Sequence, residues 1–473
     1  MDTIPLAIPK AGPEPLPELA EFVAPLAPLF QRSQSRESLE RYVTGLLTDL
    51  PHKNCQTIAA AVANTSTERL QHLLTDADWD AQAMDELRVR RLTAHSPAGG
   101  ALVLDDTGLP KQGKRSVGVA RQYSGTLGKI GNCQVLVSAE YVTPPLNASQ
   151  SAHWPVAGRL YLPERWTQDP ERRREARIPD EVTFQTKPEL ALTLIDQARH
   201  WEVPFTVVVT DAGYGDNPNF LAGLEARQLA YVCGVESNFG VRLPAEIEQA
   251  AAQPAPPRPT RGRPRLPRPA PLHTAAELTA SLPESAWRTV IWREGRKGHL
   301  RKQFAALRVH WATGSPEVGA GRSIQHGRVR TGPEGWLLAE RPLPGQDDKP
   351  KWYLSNLPPE TPLRRLAELA HCRWSIEQLY EEAKGECGLD DYQGRLWDGF
   401  HRHVALVMLT YSFLAQQRLA APAAGTFPPR ATTEPPGTPP QGAHCPPPGP
   451  RPMVGDLRLD RELSPTSQLT RQY

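Results

Sequence analysis

The chain has 473 residues, enough for two or three domains, and its formal net charge is only +2. The overall charge therefore does not mark a nucleic-acid-binding protein, and any such signal must be local. No apolar run approaches the roughly 18 residues of a membrane span, and the proline-interrupted N-terminus does not look like a signal peptide. The six cysteines have no zinc-site spacing. We therefore expect reduced thiols in a cytoplasmic protein.

Residues 1–98 are predicted to form a helical domain. Between residues 39 and 50, apolar side chains recur at three- and four-residue spacing, which is typical of an amphipathic helix. A break at residues 64–66 separates two further helices, and Ser66 and Thr67 are suitable N-caps for the second of them. Two short helices across a tight break fit a DNA-binding helix-turn-helix, and they fit an ordinary helical bundle equally well.

The next signal is a pair of acids that follows an apolar run. Residues 101–104 read as a buried strand, and Asp105 and Asp106 come directly after it. An acid at the end of a buried strand is costly to desolvate unless a metal, a cation or hydrogen bonds compensate it. A surface turn in which both aspartates bind backbone amides is the alternative.

The same pattern recurs in residues 203–215. A β-branched run there ends in Asp211, and a glycine-rich turn follows. Strands that alternate with helical segments predict an α/β sheet. Ligand sites in such sheets gather at the ends of strands, so we expect Asp105 and Asp211 to lie in one site.

A third acid, Glu377, lies in a predicted helix. At about 100° per residue, Arg373, Glu377, Tyr380 and Lys384 fall within a stripe roughly 60° wide. One helix face would then present a carboxylate flanked by two cations. The alternative is that Arg373 and Glu377 form an ordinary surface ion pair, which would contribute only a few tenths of a kcal/mol.

Residues 236–349 carry the local positive charge that the overall composition hides. Between residues 258 and 302 there are eleven Lys and Arg residues against three Glu. Arg261 and Arg263 form the core of a short motif that is similar to an AT-hook, whose arginines enter narrow minor grooves. The alternative is that residues 254–271 form a plain Pro/Arg-rich linker.

Three carboxylates from separate elements suit Mg²⁺ or Mn²⁺, which prefer oxygen ligands. Two such ions can activate a water or a 3′-hydroxyl and stabilise the leaving oxygen of a phosphodiester. Phosphoryl transfer depends mainly on positioning and electrostatics. This explains why the sequence shows no Ser/His/Asp or Cys/His grouping and no P-loop.

The chain resembles DDE-type insertion-sequence transposases, and among them the group typified by insertion sequence seven-zero-one. The resemblance covers roughly residues 20–415. Each matching motif is short, but their order and number make the match specific. The motifs are residues 105–111 (DDTGLPK), 116–123 (SVGVARQY), 161–163 (YLP), 184–190 (FQTKPEL), 210–215 (TDAGYG) and 373–377 (RWSIE), together with Lys384, Gly388, Leu389 and Tyr392.

The resemblance implies an α/β fold with an RNase H-like catalytic core, formed by residues 99–235 and 350–420. The helical domain precedes this core, a β-rich insertion at 236–349 comes before the last catalytic helix, and a Pro-rich disordered tail occupies residues 421–473.

The resemblance also implies a metal-binding triad of Asp105, Asp211 and Glu377 that holds two ions. The choice of Asp105 over Asp106 rests on the family pattern, since strand alternation alone cannot decide it. The family's Arg–Glu–Lys signature falls on Arg373, Glu377 and Lys384, for which DNA contact is expected.

Tyr380 on the same helix face is a further candidate DNA contact. Family members often have a tyrosine three residues before this arginine, whereas this chain has Ala370 at that position. The turn therefore lacks one residue of the family pattern for DNA contact.

We therefore expect a transposase that binds the terminal inverted repeats of its element in double-stranded DNA. It would cut with divalent metal ions and join the 3′ ends to target DNA, as a homodimer at the nucleoid. Two alternatives remain open. One is a transposon-derived DNA-binding repressor that does not cut, which the divergent C-terminus leaves possible, and the other is a two-metal nuclease without strand transfer.

Overall fold

The first part of the chain is helical, and side chains at residues 54, 66 and 80 cap three of its helices. The structure is a computed structural model that describes residues 10–12, 16–125, 128–145, 151–253, 270–295, 298–313 and 330–420. Asn54 accepts hydrogen bonds from the amides of Gln56 and Thr57, and Ser66 accepts one from Arg69, which confirms Ser66 as an N-cap. The helices are α1 (Pro17–Val23), α2 (Ser33–Leu47), α3 (Cys55–Ala61), α4 (Thr67–Thr75) and α5 (Ala81–Ala94), with a 3-10 helix at Ala24–Leu29.

A mixed sheet follows, and the strand that contains Asp105 lies at its centre. Its first strands are β1 (Gly100–Pro110), β2 (Ala120–Ser124), β3 (Lys129–Val142), β4 (His153–Tyr161), β5 (Phe205–Thr210) and β6 (Ala230–Val235). β3 is antiparallel to β1, whereas β5 is parallel to β1 and β6 is parallel to β5. Both β2 and β4 pair with the outer edge of β3. The strand order is therefore β2 or β4, then β3, β1, β5 and β6.

Helices cover this sheet and lead from one strand to the next. They are α6 (Glu164–Thr167), α7 (Pro170–Glu175), α8 (Lys187–His200), α9 (Ala212–Gly215) and α10 (Pro218–Ala226). α8 begins with a capping box between Thr186 and Glu189. It buries Leu190, Leu194 and Ile195 in the main core, so the motif at residues 184–190 is the start of a helix that packs on the sheet.

The strands of the predicted insertion extend the same sheet. β12 (Lys351–Ser355) pairs with the free edge of β6, β11 (Arg330–Arg341) pairs with β12, and β10 (Gly298–Thr313) pairs with β11. The remaining elements are β7 (Gly240–Arg242), α11 (Pro244–Ala252), β8 (His273–Thr274), α12 (Ala275–Ala280), a 3-10 helix (Glu284–Ala286) and β9 (Arg288–Gly295). Most of the predicted linker at 254–271 lies outside the described residues.

Three helical segments complete the described chain. α13 (Leu363–Ala370) runs through a 3-10 turn (His371–Arg373) into α14 (Trp374–Gly385), and α15 (Trp397–Ala420) follows. α15 is buried continuously over residues 403–413, which makes it a central helix. Within the described residues, no helix is both long enough and apolar enough to cross a membrane. The five cysteines among the residues that the structure describes are free thiols.

A buried arginine joins the helical region to the sheet. Arg88 on α5 donates to the carbonyl oxygens of Pro155 (2.6 Å) and Val156 (2.8 Å) on β4. Asp85, one turn earlier, accepts from the same guanidinium at 2.7 Å, and Ser412 on α15 accepts at 3.0 Å. The charge of Arg88 is therefore paired with Asp85, and the remaining N–H donors of its guanidinium bind backbone carbonyl groups.

Arg88→Met should lower the free energy of unfolding by about 3 kcal/mol, because it leaves Asp85 as an unpaired buried carboxylate. Urea unfolding followed by circular dichroism measures this loss. Arg90→Ala on the same helix is the control, since Arg90 forms surface pairs with Glu86 and Glu202, and it should change stability little. Equal effects of the two substitutions would contradict the structural role of Arg88.

Candidate active site

Asp105 and Asp211 lie at equivalent places on neighbouring parallel strands. Val103 of β1 is in register with Val209 of β5, and each aspartate follows two residues later. The residues below them, 101–104 on β1 and 207–209 on β5, are apolar and buried, so both carboxylates lie where the apolar layer of the sheet ends. The structure therefore brings together the two strand-end acids that the sequence pattern singled out.

Arg373 joins the first strand to the helix that contains Glu377. Its Nη1 donates to Oδ2 of Asp105 at 2.8 Å, and its Nη2 donates to Oε1 of Glu377. Arg373 closes the 3-10 turn, and Glu377 lies in the first turn of α14. The predicted ion pair between Arg373 and Glu377 therefore exists. Arg373 also bonds to Asp105 on β1, which the arginine of an ordinary surface ion pair would not do.

Asp211 sits in a tight turn with one carboxylate oxygen left unsatisfied. Its Oδ1 is buried and accepts no hydrogen bond from any residue that the structure describes. The turn that follows packs directly on β6, where a Cβ atom at Gly215 would lie 1.9 Å from the carbonyl oxygen of Gly234. Only glycine fits that position. A buried carboxylate oxygen without a donor is costly, which favours a bound cation beside it.

The electrostatics of the site favour a positive charge between the acids. Burial raises the pKa of Asp105 to about 7, repulsion from Asp211 adds to this rise, and Arg373 opposes it. Burial also raises the pKa of Asp211, again with Arg373 acting in the opposite direction. The single guanidinium therefore only partly offsets the cost of burying these carboxylates.

Asp106 is directed away from this cluster. Lys187 at the start of α8 donates to its Oδ1 at 2.8 Å, and the Tyr214 hydroxyl donates to its Oδ2 at 3.3 Å. Successive side chains of a strand point to opposite faces. Asp105 therefore lies on the face that Arg373 and Glu377 share, and Asp106 lies on the face covered by α8 and α9.

Tyr380 and Lys384, which were predicted to contact DNA, connect α14 to the sheet. The Tyr380 hydroxyl shares a 2.8 Å hydrogen bond with Ser138 on β3, and Tyr380 is buried. Lys384 donates to Oγ1 of Thr107 at 2.7 Å, and burial lowers its pKa. The predicted DNA-binding residues Arg261 and Arg263 lie outside the described residues.

Two buried glutamates, which the sequence analysis did not identify, hold the segment around Arg373. Glu140 on β3 accepts a 2.8 Å hydrogen bond from Ser375, and Glu340 on β11 accepts one of 2.8 Å from His371. Both glutamates are fully buried. Their signal in the sequence was an acid that directly follows a mainly apolar run within its strand, a position where carboxylates are rare unless they are paired.

The donor set fits a divalent cation, although the ligands are not gathered around one position. Within the described residues, no three His, Cys, Asp or Glu side chains are close enough together to hold a metal ion. Arg373 binds two of the three candidate carboxylates, and the third has the orphaned oxygen. Hard carboxylate oxygens with excess negative charge are suitable ligands for Mg²⁺ or Mn²⁺.

The mixed sheet and its strand-end carboxylates are consistent with an RNase H-like nuclease fold. A family model described as DDE superfamily endonuclease matches residues 25–299, and one described as transposase DDE domain matches residues 186–413. The first match covers more than half of the chain, and the chain belongs to the DDE superfamily of endonucleases.

A curated relative is the probable transposase for insertion sequence element IS701 from Microchaete diplosiphon. It is 30% identical to this chain over 217 residues, which are 46% of this chain and 53% of the relative. The match therefore spans about half the length of that protein.

Glu340→Gln should destabilise the protein at neutral pH and much less in acid. Burial would raise the pKa of Glu340, but His371 and Lys302 outweigh it and lower that pKa to about 2. The unfolded value is about 4.3, so the ionised carboxylate contributes roughly 3 kcal/mol at pH 7. This contribution is lost as the pH falls from about 4.3 towards 2.

Urea unfolding at several pH values measures this dependence. Glu334→Gln on the same strand is the control, because Glu334 pairs with Arg308 at the surface and its loss should matter little. A stability difference between wild type and Glu340→Gln that did not shrink in acid would show that Glu340 contributes through packing and not through its charge.

Proposed function

We propose that this protein is the transposase of an insertion sequence. It binds the terminal inverted repeats of its element in double-stranded DNA, cuts there with divalent metal ions and joins the 3′-hydroxyl ends to target DNA. The observation that carries the proposal is that Arg373 bridges Asp105 and Glu377, while the buried Asp211 follows the neighbouring strand and lies within the electrostatic influence of the same guanidinium. Membership of the DDE superfamily and the match to a probable transposase support it.

In this proposal Asp105, Asp211 and Glu377 hold Mg²⁺ or Mn²⁺, most simply as two ions. When bound, the ions supply an activated water or 3′-hydroxyl and stabilise the leaving oxygen. Asp105 and Asp211 lie on rigid neighbouring strands, whereas the Glu377 side chain is half exposed. Glu377 is therefore the ligand that can move most easily into place.

Arg373 has two roles in the proposed function. Without a metal it bridges Asp105 and Glu377 and offsets part of their charge. A metal ion that takes these carboxylates frees the guanidinium, which is well shaped to bind a DNA phosphate through two parallel hydrogen bonds. The buried bonds from Ser375 and His371 to Glu140 and Glu340 keep the Arg373 backbone in position during this exchange.

The wider partner set is also part of the proposal. Lys384 and the basic insertion, with Arg261 and Arg263, would contact the transposon end, whereas the buried Tyr380 would hold α14 on the sheet. Two copies of the chain would pair the two ends in a synaptic complex. The protein would then act at the nucleoid. The predicted domain boundaries, which follow residues 98, 235, 349 and 420, are part of the same proposal.

Asp211→Asn should lower DNA cleavage and strand transfer roughly a thousandfold, because a lost metal ligand removes several kcal/mol of transition-state stabilisation. The assay uses duplexes that carry the ends of the element, taken from the DNA around the gene, together with Mg²⁺. Asp196→Asn is the control, since Asp196 pairs with Arg227 on the surface of α8.

Wild-type rates from Asp211→Asn would refute the assignment of this residue. Cleavage without joining would identify a nuclease, and specific binding of the ends without cleavage would identify a DNA-binding repressor. Each of these last two results would replace the transposase proposal.

A further inference from the structure

Asp106 follows the candidate metal ligand Asp105, and both oxygens of its carboxylate already have partners within the protein. Lys187 donates to its Oδ1 at 2.8 Å, and the hydroxyl of Tyr214 donates to its Oδ2 at 3.3 Å. Hydrogen bonds to an ionised carboxylate are stronger than those between neutral groups. This arrangement suits a carboxylate that holds neighbouring elements together better than one that binds a cation itself.

The backbone of Asp106 contacts the carboxylate of Asp105 directly. The Asp106 amide donates to Oδ1 of Asp105 at 2.7 Å, while Arg373 donates to Oδ2 of the same carboxylate at 2.8 Å. Because one bond reaches each oxygen, the two bonds together fix the plane of this carboxylate. Outer hydrogen bonds of this kind usually orient the carboxylates that bind metals. A shift of the Asp106 backbone would therefore turn the Asp105 carboxylate.

Tyr214 connects Asp106 to the turn that contains Asp211. Its amide donates to the carbonyl oxygen of Asp211 at 3.3 Å. Its side chain is only 2% exposed, and its ring packs against Phe220 with 5.7 Å between the ring centroids. The hydroxyl is therefore held in place. Its bond to Asp106 ties the end of β1 to the turn after β5, and so ties together the two segments that contain Asp105 and Asp211.

Lys187 connects Asp106 to α8. It is the first residue of this helix, where the capping box between Thr186 and Glu189 fixes the backbone. The Lys187 side chain is 32% exposed and that of Asp106 is 23% exposed. Ion pairs that water reaches contribute little to stability. The position of this pair beside Asp105 therefore points to a role in the site.

We propose that Asp106 is a positioning residue of the metal site and that Lys187 and Tyr214 hold it in place. Through its amide it orients the carboxylate of Asp105, and through Tyr214 it fixes the end of β1 relative to the turn of Asp211. This inference rests on the proposed function, because it requires Asp105 and Asp211 to hold the metal ions.

Manganese affinity tests this role without the need for DNA. Asp106→Asn and Lys187→Met should each weaken Mn²⁺ binding about ten- to a hundredfold, as expected when an outer partner of a metal ligand is lost. Tyr214→Phe removes only the hydroxyl and should weaken binding in the same direction. Titrations followed by electron paramagnetic resonance measure the affinity. Asp196→Asn is the matched control, since Asp196 pairs with Arg227 on the surface of α8, and it should bind Mn²⁺ like wild type.

A double variant tests whether the two charged residues act through one contact. Residues that share a contact have effects that do not add. Asp106→Asn combined with Lys187→Met should therefore bind Mn²⁺ no more weakly than the weaker-binding single variant.

Metal preference separates a positioning role from a loss of stability. Mg²⁺ demands a near-ideal octahedral arrangement of its ligands. Cleavage of element-end duplexes by Lys187→Met should therefore fall more with Mg²⁺ than with Mn²⁺, and the ratio of the two rates should drop about tenfold. A variant that was only less stable would lose both rates equally.

Three results would overturn the proposal. The first is wild-type Mn²⁺ affinity in both Asp106→Asn and Lys187→Met. The second is an unchanged ratio of the Mg²⁺ and Mn²⁺ rates in Lys187→Met. The third is loss of Mn²⁺ binding from Asp106→Asn while Lys187→Met and Tyr214→Phe bind normally, which would make Asp106 a ligand. A wild type that binds no Mn²⁺ would instead refute the metal site on which the proposed function depends.

Discussion

The bridge that Arg373 makes between Asp105 and Glu377 is the interaction on which the site depends. Buried carboxylates repel one another and lose their hydration, and the guanidinium offsets only part of this cost. The pKa of Asp105 therefore stays raised, and one oxygen of Asp211 has no hydrogen-bond donor among the described residues. The uncompensated negative charge of these carboxylates favours a cation of higher charge density than an arginine.

The sheet supports this bridge from both sides. Glu140 comes from β3, next to the strand that contains Asp105, and Glu340 comes from β11, in the part of the sheet that the insertion adds. Each binds one end of the short segment from His371 to Ser375. β11, a strand of the predicted insertion, therefore helps to position the helix that contains Glu377, because β12 and β11 continue the sheet beyond β6.

Local patterns in the sequence predicted the candidate residues, and long-range contacts decided their arrangement. The apolar runs before Asp105 and Asp211 and the four-residue spacing of Arg373 and Glu377 are visible in short windows. Strand alternation separates Asp105 from Asp106, but only the packing of α14 and α8 shows which face each one occupies. The extension of the sheet and the buried Glu340 depend on pairings between distant residues, which no local pattern contains.

We propose that Asp105, Asp211 and Glu377 form a cation site, which Arg373 fills when no metal is bound. Electron paramagnetic resonance of bound Mn²⁺ tests this site most directly. We expect wild type to bind Mn²⁺. Arg373→Gln should bind Mn²⁺ more tightly, because a competing cation is gone, and Asp211→Asn should lose Mn²⁺ binding. Asp196→Asn should bind like wild type. Equal Mn²⁺ affinity in wild type and Asp211→Asn would show that Asp211 is not part of a cation site.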